Sequence, residues 1–181
     1  MEKIPWMRDH LTDGRISLRR YCTGDSLTLY EAIQESITEL TRWGFYHQDF
    51  TRQDAEKEVE ARIAKWNARK SFTYLIEQPS VPELVGVCNI SEYEPENNHA
   101  ALGWWVRTSM TRQGIATSAG RLVAQAAFED LHLSSLSIYA RVDNIASRRV
   151  AEKLGAVLVR IKPEEVGSDC AVYELKPETL V

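Results

Sequence analysis

The segment from Leu102 to Gly120, LGWWVRTSMTRQGIATSAG, constrains this chain more than any other. Leu102-Gly-Trp-Trp-Val106 has the composition of a buried strand, and a short polar connector leads from it into a helix whose first turn carries Gly114 and Ala116. Small residues there let a ligand come close to the backbone, while a helix start presents unpaired N–H groups with partial positive charge. Such an end can hold an anion as large as a pyrophosphate, and Arg112 adds a full charge. A glycine near a helix start is also common for structural reasons alone, so the segment has to be read with its neighbours.

Those neighbours alternate strands and helices. Arg15 to Arg20 alternates apolar and polar residues, the period of a half-buried strand. Asp25 or Ser26 is placed to cap a helix through Ile37, with Leu27, Tyr30, Ile33 and Ile37 on one face. Leu40 to Phe50, interrupted by Gly44, reads as an irregular aromatic loop or short helical turn. Thr51 then caps a charged helix to about Arg69, whose apolar stripe is Ala55, Val59, Ile63 and Trp66. Strands are predicted at 71–77, 84–91 and 100–107, with a Pro-rich turn after the first and a polar turn over 92–98. The Gly114 helix runs to about Asp130, a strand covers 135–142, a helix covers 144–154, and strands at 156–161 and 171–175 finish the chain. The result is a mixed α/β fold in one domain spanning 1–181.

Composition narrows the function. A formal net charge of −4 is not that of a nucleic-acid binder, and no apolar run reaches the roughly 20 residues of a membrane span. The start has no signal-peptide pattern. Cys22, Cys88 and Cys170 are widely spaced with no CxxC pair, which fits reduced thiols in a cytoplasmic protein and no metal site.

The second informative segment is Asp143 to Ala156, DNIASRRVAEKLGA. Asp143 or Asn144 can cap its helix, Ser147 follows one turn later, and Gly155 stands where a left-handed C-cap belongs. Together with LGWWVRTSMTRQGIATSAG, it resembles the GNAT N-acetyltransferase superfamily, in particular the RimJ/RimL-like branch that acetylates ribosomal-protein N-termini. The resemblance runs from Ile16 to Leu175. It implies a mostly antiparallel sheet of about seven strands flanked by about four helices and splayed between the fourth and fifth strands.

The resemblance further implies acetyl-CoA as cosubstrate. The backbone of Trp105, Val106 and Arg107 would pair with its pantetheine arm. Arg112, Gln113, Gly114, Ile115, Ala116 and Thr117 would cradle the pyrophosphate. Asn144 would bond the pantetheine region, and Ser147 would stand near the departing thiol. The chain departs from the pattern in places. Thr111 stands where Gln or Arg usually opens the phosphate motif, and Ala116 replaces its last glycine. Ala151 occupies the position of a proton-donating tyrosine found in many relatives, which shifts that role to Ser147.

An acetyl thioester is already activated, so such an enzyme chiefly positions and polarises it. A lysine amine is only about 0.04% neutral at pH 7, whereas an α-amine is roughly 10–15% neutral, so an N-terminal acceptor demands less of a base. Glu92, Glu94, Glu164 and Glu165 are the candidates for that base, and each also reads as a solvated surface charge. Val159 is apolar where relatives carry Glu. Direct attack within a ternary complex is expected rather than a route through cysteine. Acceptor recognition falls to Trp43, Tyr46 and Tyr93, although Trp43 and Tyr46 equally suit a small satellite core. The acceptor is a protein N-terminus or a small amine, and the protein is expected to be a monomer or homodimer. The alternative to an enzyme is a CoA-binding sensor without turnover.

Overall fold

The computed structural model describes residues 6–164 and 167–181. In chain order its elements are β1 (His10–Thr12), β2 (Ser17–Arg20), α1 (Ser26–Arg42), α2 (Arg52–Asn67), β3 (Phe72–Gln78), β4 (Val81–Glu94) and β5 (His99–Val106). They continue with α3 (Ile115–Leu131), β6 (Ser135–Arg141), α4 (Ile145–Lys153), β7 (Val157–Lys162) and β8 (Cys170–Leu175). The strands form one sheet in the order β1-β2-β3-β4-β5-β6-β8-β7.

That makes eight strands among the described residues, against the seven expected. The extra one, β1, is three residues long and pairs with β2 through Leu11↔Leu18. Only Leu11 of the three is buried, too little for a periodic signal. Two further elements are longer than their sequence patterns suggest. α1 continues to Arg42 because Leu40 is buried on the face already occupied by Leu29, Ala32, Ile33 and Ser36. β4 begins at Val81, inside the expected Pro-rich turn, and continues to Glu94. A bulge between Ser91 and Glu94, with Glu92 at φ 49°, absorbs the irregularity that reads as a turn.

Each face of the sheet carries its own core. Cys88, Ile90, Leu102 and Trp104 face α3, where Ile115, Ala119, Val123 and Ala127 are buried with Leu154 at the end of α4. Leu75, Val87 and Trp105 face the other way, against Leu29, Ala32, Ile33 and Leu40 of α1 and Ala55 and Val59 of α2. The alternation along β5 therefore sends Trp104 and Trp105 to opposite cores.

The ends of the helices follow their local chemistry. Thr51 and Asp54 form a reciprocal cap at the start of α2, with Asp54 N–H donating to Thr51 Oγ1 at 3.2 Å and Thr51 N–H to Asp54 Oδ2 at 2.9 Å. After α4, Gly155 turns the chain at φ 90° so closely that a Cβ there would lie 1.8 Å from the Thr179 carbonyl oxygen. The C-terminal residue closes this corner, since Val181 N–H donates to the Leu154 carbonyl at 3.2 Å.

Candidate active site

Among the described residues, all sheet pairings but one are antiparallel. The exception, β5 with β6, is parallel and short, joining His99 to Ser135, Ala100 to Leu136 and Ala101 to Ser137. Beyond Ala101 the two strands diverge, and a cleft opens toward Val106 and Arg141. Strand alternation decides which backbone groups face it. Arg107 N–H donates to the Val85 carbonyl at 2.8 Å, so Arg107 and Trp105 turn their polar groups toward β4. Trp104 and Val106 turn theirs to the cleft. Of the three residues expected to pair with a ligand arm, Val106 is thus the one presenting N–H and C=O to it, and Trp104 joins it.

The cleft leads to the start of α3. Arg112 and Gly114 both sit in left-handed backbone, at φ 63° and 79°, and fold the connector so that Gly114 becomes the residue just before the helix. The first helical bond runs from Ser118 N–H to the Gly114 carbonyl at 3.0 Å. The N–H groups of Ile115, Ala116 and Thr117 consequently have no partner within the helix. Gly114 is open, with only Arg15 Nη1 within 4 Å of a built Cβ. Thr111 turns its hydroxyl back on the Thr108 carbonyl at 2.9 Å and stands outside this cradle.

Arg15 is a site residue the sequence did not announce. Its guanidinium bonds the Gln113 carbonyl, 98 residues away in the chain, and lies beside the start of α3. Asp13 holds the turn that carries it, accepting from Arg15 N–H and Ile16 N–H at 2.9 Å each. Burial would raise the Asp13 carboxyl, but those two donors keep it below its ordinary value. Only the fold brings this turn to α3.

The connector after β5 is tied down from the opposite face. Glu35 of α1 accepts from Arg107 Nη1 at 3.0 Å and from Ser109 N–H at 3.1 Å, and Ser36 Oγ accepts from Thr108 N–H at 3.0 Å. Burial pushes the Glu35 carboxyl up, yet Ser109 and Arg107 hold it below the usual range. The Arg107 side chain is thereby committed to α1.

Across the cleft, Asn144 caps α4 by accepting Ser147 N–H on its Oδ1 at 3.0 Å, which leaves its amide N–H groups available. Ser147, half-buried on the first turn, stands at the open end of the cleft. Ala151 is fully buried and carries no proton donor. Arg148 Nε donates to the Tyr173 hydroxyl at 3.0 Å and that hydroxyl to Glu152 Oε1 at 3.1 Å, which fixes α4 on β8.

The remaining expected residues are scattered. Glu92 is exposed on the β4 bulge, beside the closed end of the cleft. Ser147 lies beyond the open end, about 20 Å of strand away at the usual rise per residue. Tyr93 packs edge-on against Phe72, in the α3-side core. Tyr46 lies against Phe50 and Trp105, with ring centroids 4.9 and 6.2 Å away, and belongs to the satellite core. Glu164 is paired with Lys162 at 3.5 Å, and Glu165 falls outside the described residues. Trp43 does approach the cleft. The Arg42 and Arg141 guanidiniums lie 4.6 and 5.8 Å from its ring centre, so the α1–α2 turn meets the end of β6 there. Arg141 also lies against Gly167 of the β7–β8 connection, and like Arg15 it carries no signal in the sequence.

A cleft between two parallel strands, ending at an unpaired helix start, is accompanied by a family match. Residues 15–157 match the acetyltransferase (GNAT) domain. The chain belongs to the GNAT acetyltransferase family. GNAT membership makes it an acyltransferase. Its relatives include YdaF of Bacillus subtilis (strain 168), provisionally named a ribosomal N-acetyltransferase, which is 28% identical over 142 residues covering 77% of this chain and 76% of YdaF. The ribosomal-protein-serine acetyltransferase of Escherichia coli (strain K12) is 28% identical over 133 residues, 72% of each chain. In fold, this GNAT chain superposes on a RimL ribosomal α-N-protein acetyltransferase in complex with coenzyme A. The TM-score is 0.83 at 21% identity, over 90% of this chain and 94% of that one. Among the described residues no helix is long and apolar enough to cross a membrane, and no cluster of His, Cys, Asp or Glu is arranged to hold a metal.

Proposed function

We propose that this protein transfers the acetyl group of acetyl-CoA to a primary amine, with the α-amine of a ribosomal-protein N-terminus as the acceptor class its relatives favour. The observation that carries the reading is the β5–β6 cleft running into the unpartnered N–H groups of Ile115, Ala116 and Thr117. The residues present fit the cosubstrate. Arg112, Gln113, Gly114, Ile115, Ala116 and Thr117, with Arg15, form a cationic cradle for a pyrophosphate. Trp104 and Val106 offer an unpaired strand edge to an amide-bearing arm, and Asn144 offers its amide N–H groups from the opposite wall.

In the reaction, the amine nitrogen bonds to the thioester carbonyl carbon, the carbon–sulfur bond breaks, and the nitrogen gives up one proton while the sulfur gains one. Ser147 stands where its hydroxyl can pass a proton to the leaving sulfur and recover one from water. The α-ammonium needs little help to lose its first proton to solvent, and once the neutral amine has attacked, water takes the second. Attack is direct in this reading; Cys88 is sealed in the α3-side core, where burial pushes its thiol well above its ordinary value, and burial also raises Cys170.

The test is thiol release from acetyl-CoA with Ser-initiated and Ala-initiated hexapeptides and a set of small primary amines. Acetylation at the peptide α-amine is the expected result. Binding of acetyl-CoA with no acetylation of any acceptor would instead establish a sensor, and failure to bind acetyl-CoA would remove the reading altogether.

A further inference from the structure

We propose that Asn89 receives the acceptor amine, and that Thr73 beneath it positions the Asn89 amide; this rests on the acetyltransferase reading above. Three residues stand in one row across the sheet, Thr73 on β3 opposite Asn89 on β4, and Asn89 opposite Gly103 on β5. Gly103 lies two residues past the last β5–β6 pair, so the row ends at the inner part of the cleft.

The row is polar beside the apolar Leu75, Val87 and Trp105 of the same face, and its polar groups are unspent. Thr73 is 2% exposed, and its Oγ1 is buried with no hydrogen-bond partner. A sealed hydroxyl without a partner costs free energy, and this one lies directly across the strand pair from Asn89. The half-buried Asn89 side chain makes no hydrogen bond among the described residues. It leans toward the cleft rather than toward β3, since its Oδ1 lies 3.0 Å from where a Gly103 Cβ would stand. The absence of a side chain at Gly103 is what allows this.

The row faces the side covered by α1 and α2. Leu75, Val87 and Trp105 are the next residues along the same face, and they are closed over by those helices. Continuing the parallel register past Ala101↔Ser137 places Tyr139, 44% exposed, across the cleft from Gly103, with Arg141 and the Trp43 ring further out. An acceptor entering under the α1–α2 turn thus meets an aromatic and cationic rim first and a neutral amide at the bottom. The amide carbonyl accepts an amine N–H while leaving the amine uncharged, as a nucleophile must be, whereas a carboxylate at the same place would favour the ammonium form. Thr73 can donate its hydroxyl to Asn89 across the strand pair, at the usual separation of facing side chains. Asn89 therefore acts on the substrate directly, and Thr73 is a positioning residue.

The experiment measures binding by titration calorimetry of two probes, CoA and CoA joined through an acetyl spacer to the α-amine of a Ser-initiated tetrapeptide. For the wild type the conjugate is expected to bind more tightly than CoA. Asn89→Leu should leave CoA affinity within twofold and lower that of the conjugate about tenfold, the scale of one unsatisfied polar partner. Thr73→Val should weaken the conjugate about threefold, and Thr73→Ser, which restores the hydroxyl, should recover it. In steady-state kinetics with the matching peptide, the same variants should raise the acceptor KM more than they lower kcat. Retained excess affinity in Asn89→Leu, or no excess in the wild type, would overturn the assignment while CoA binding upheld the cofactor half. Absence of CoA binding by the wild type would instead sink the acetyltransferase reading on which it stands.

Discussion

Removing the Glu35 carboxylate should loosen the connector between β5 and α3. Glu35 is the only charged partner that the described contacts give to Arg107, a residue 9% exposed whose Nε already lacks a hydrogen bond. In Glu35→Ala the Ser109 N–H is exposed enough to turn to water at small cost, so the penalty falls on Arg107. A charge-assisted bond is worth about 1.5–3 kcal/mol. The carboxylate side chain is 35% exposed, which brings the expectation to the lower end, about 1.5–2 kcal/mol. With a slope near 2 kcal/mol per molar urea, the midpoint should fall by about 0.8–1 M. Affinity for CoA should drop about fivefold, because the same connector delivers the N–H groups of 115–117. Glu35→Gln, which keeps the Ser109 bond, should lose about half as much. The pH dependence has a definite sign. The folded carboxyl is held below its ordinary value, so its contribution is complete above about pH 4.3 and is lost as pH falls through the folded pKa. The stability difference between wild type and Glu35→Gln should therefore be flat from neutrality to about pH 5 and shrink below it. A midpoint shift under about 0.2 M for Glu35→Ala, with CoA affinity unchanged, would refute the reasoning.

Three other perturbations probe separate parts of the site and frame. Gly114→Glu puts a carboxylate at the anion cradle in left-handed backbone, and calorimetry should show CoA affinity reduced at least a hundredfold; undiminished binding would move the pyrophosphate elsewhere. Ser147→Ala should lower kcat with the matching peptide at least tenfold while CoA affinity stays within threefold, and an unchanged kcat would remove the hydroxyl from proton transfer. Gly155→Ala forces a Cβ into the Thr179 carbonyl and should cost at least about 2 kcal/mol in urea unfolding, with wild-type stability as the contrary result.

What could be read beforehand was whatever depends on neighbours in sequence. The Thr51 cap, an Asp143 or Asn144 cap and the left-handed Gly155 are each determined by a few adjacent residues, and the structure has Thr51, Asn144 and Gly155 in those places. The Leu102–Gly120 segment was readable for the same reason, since strand, connector and helix follow one another without interruption. Features requiring distant segments to meet were not. Arg15 reaches Gln113 only because the turn before β2 folds onto α3, and Arg141 reaches Trp43 only through sheet order. Tyr46 and Trp43 sit three residues apart in one aromatic turn, yet one ring packs against Trp105 and the other stands at the cleft. Composition gives no means of telling them apart. Thr73 and Asn89 are ordinary strand residues until the register sets them side by side.

The short parallel seam has a mechanical consequence. Strands β1–β5 and β6–β8 are two plates joined at one corner by three residue pairs, with α3 packed across β4, β5 and α4 as the brace. Where the plates part, Trp104 and Val106 stay paired with β4 but have no partner on the β6 side. A donor lying along Val106 would lengthen the joint and knit the plates together. Stiffness then becomes something the protein acquires with each donor molecule and surrenders with each spent one, and amide exchange at Trp104 and Val106 should rise and fall with that cycle.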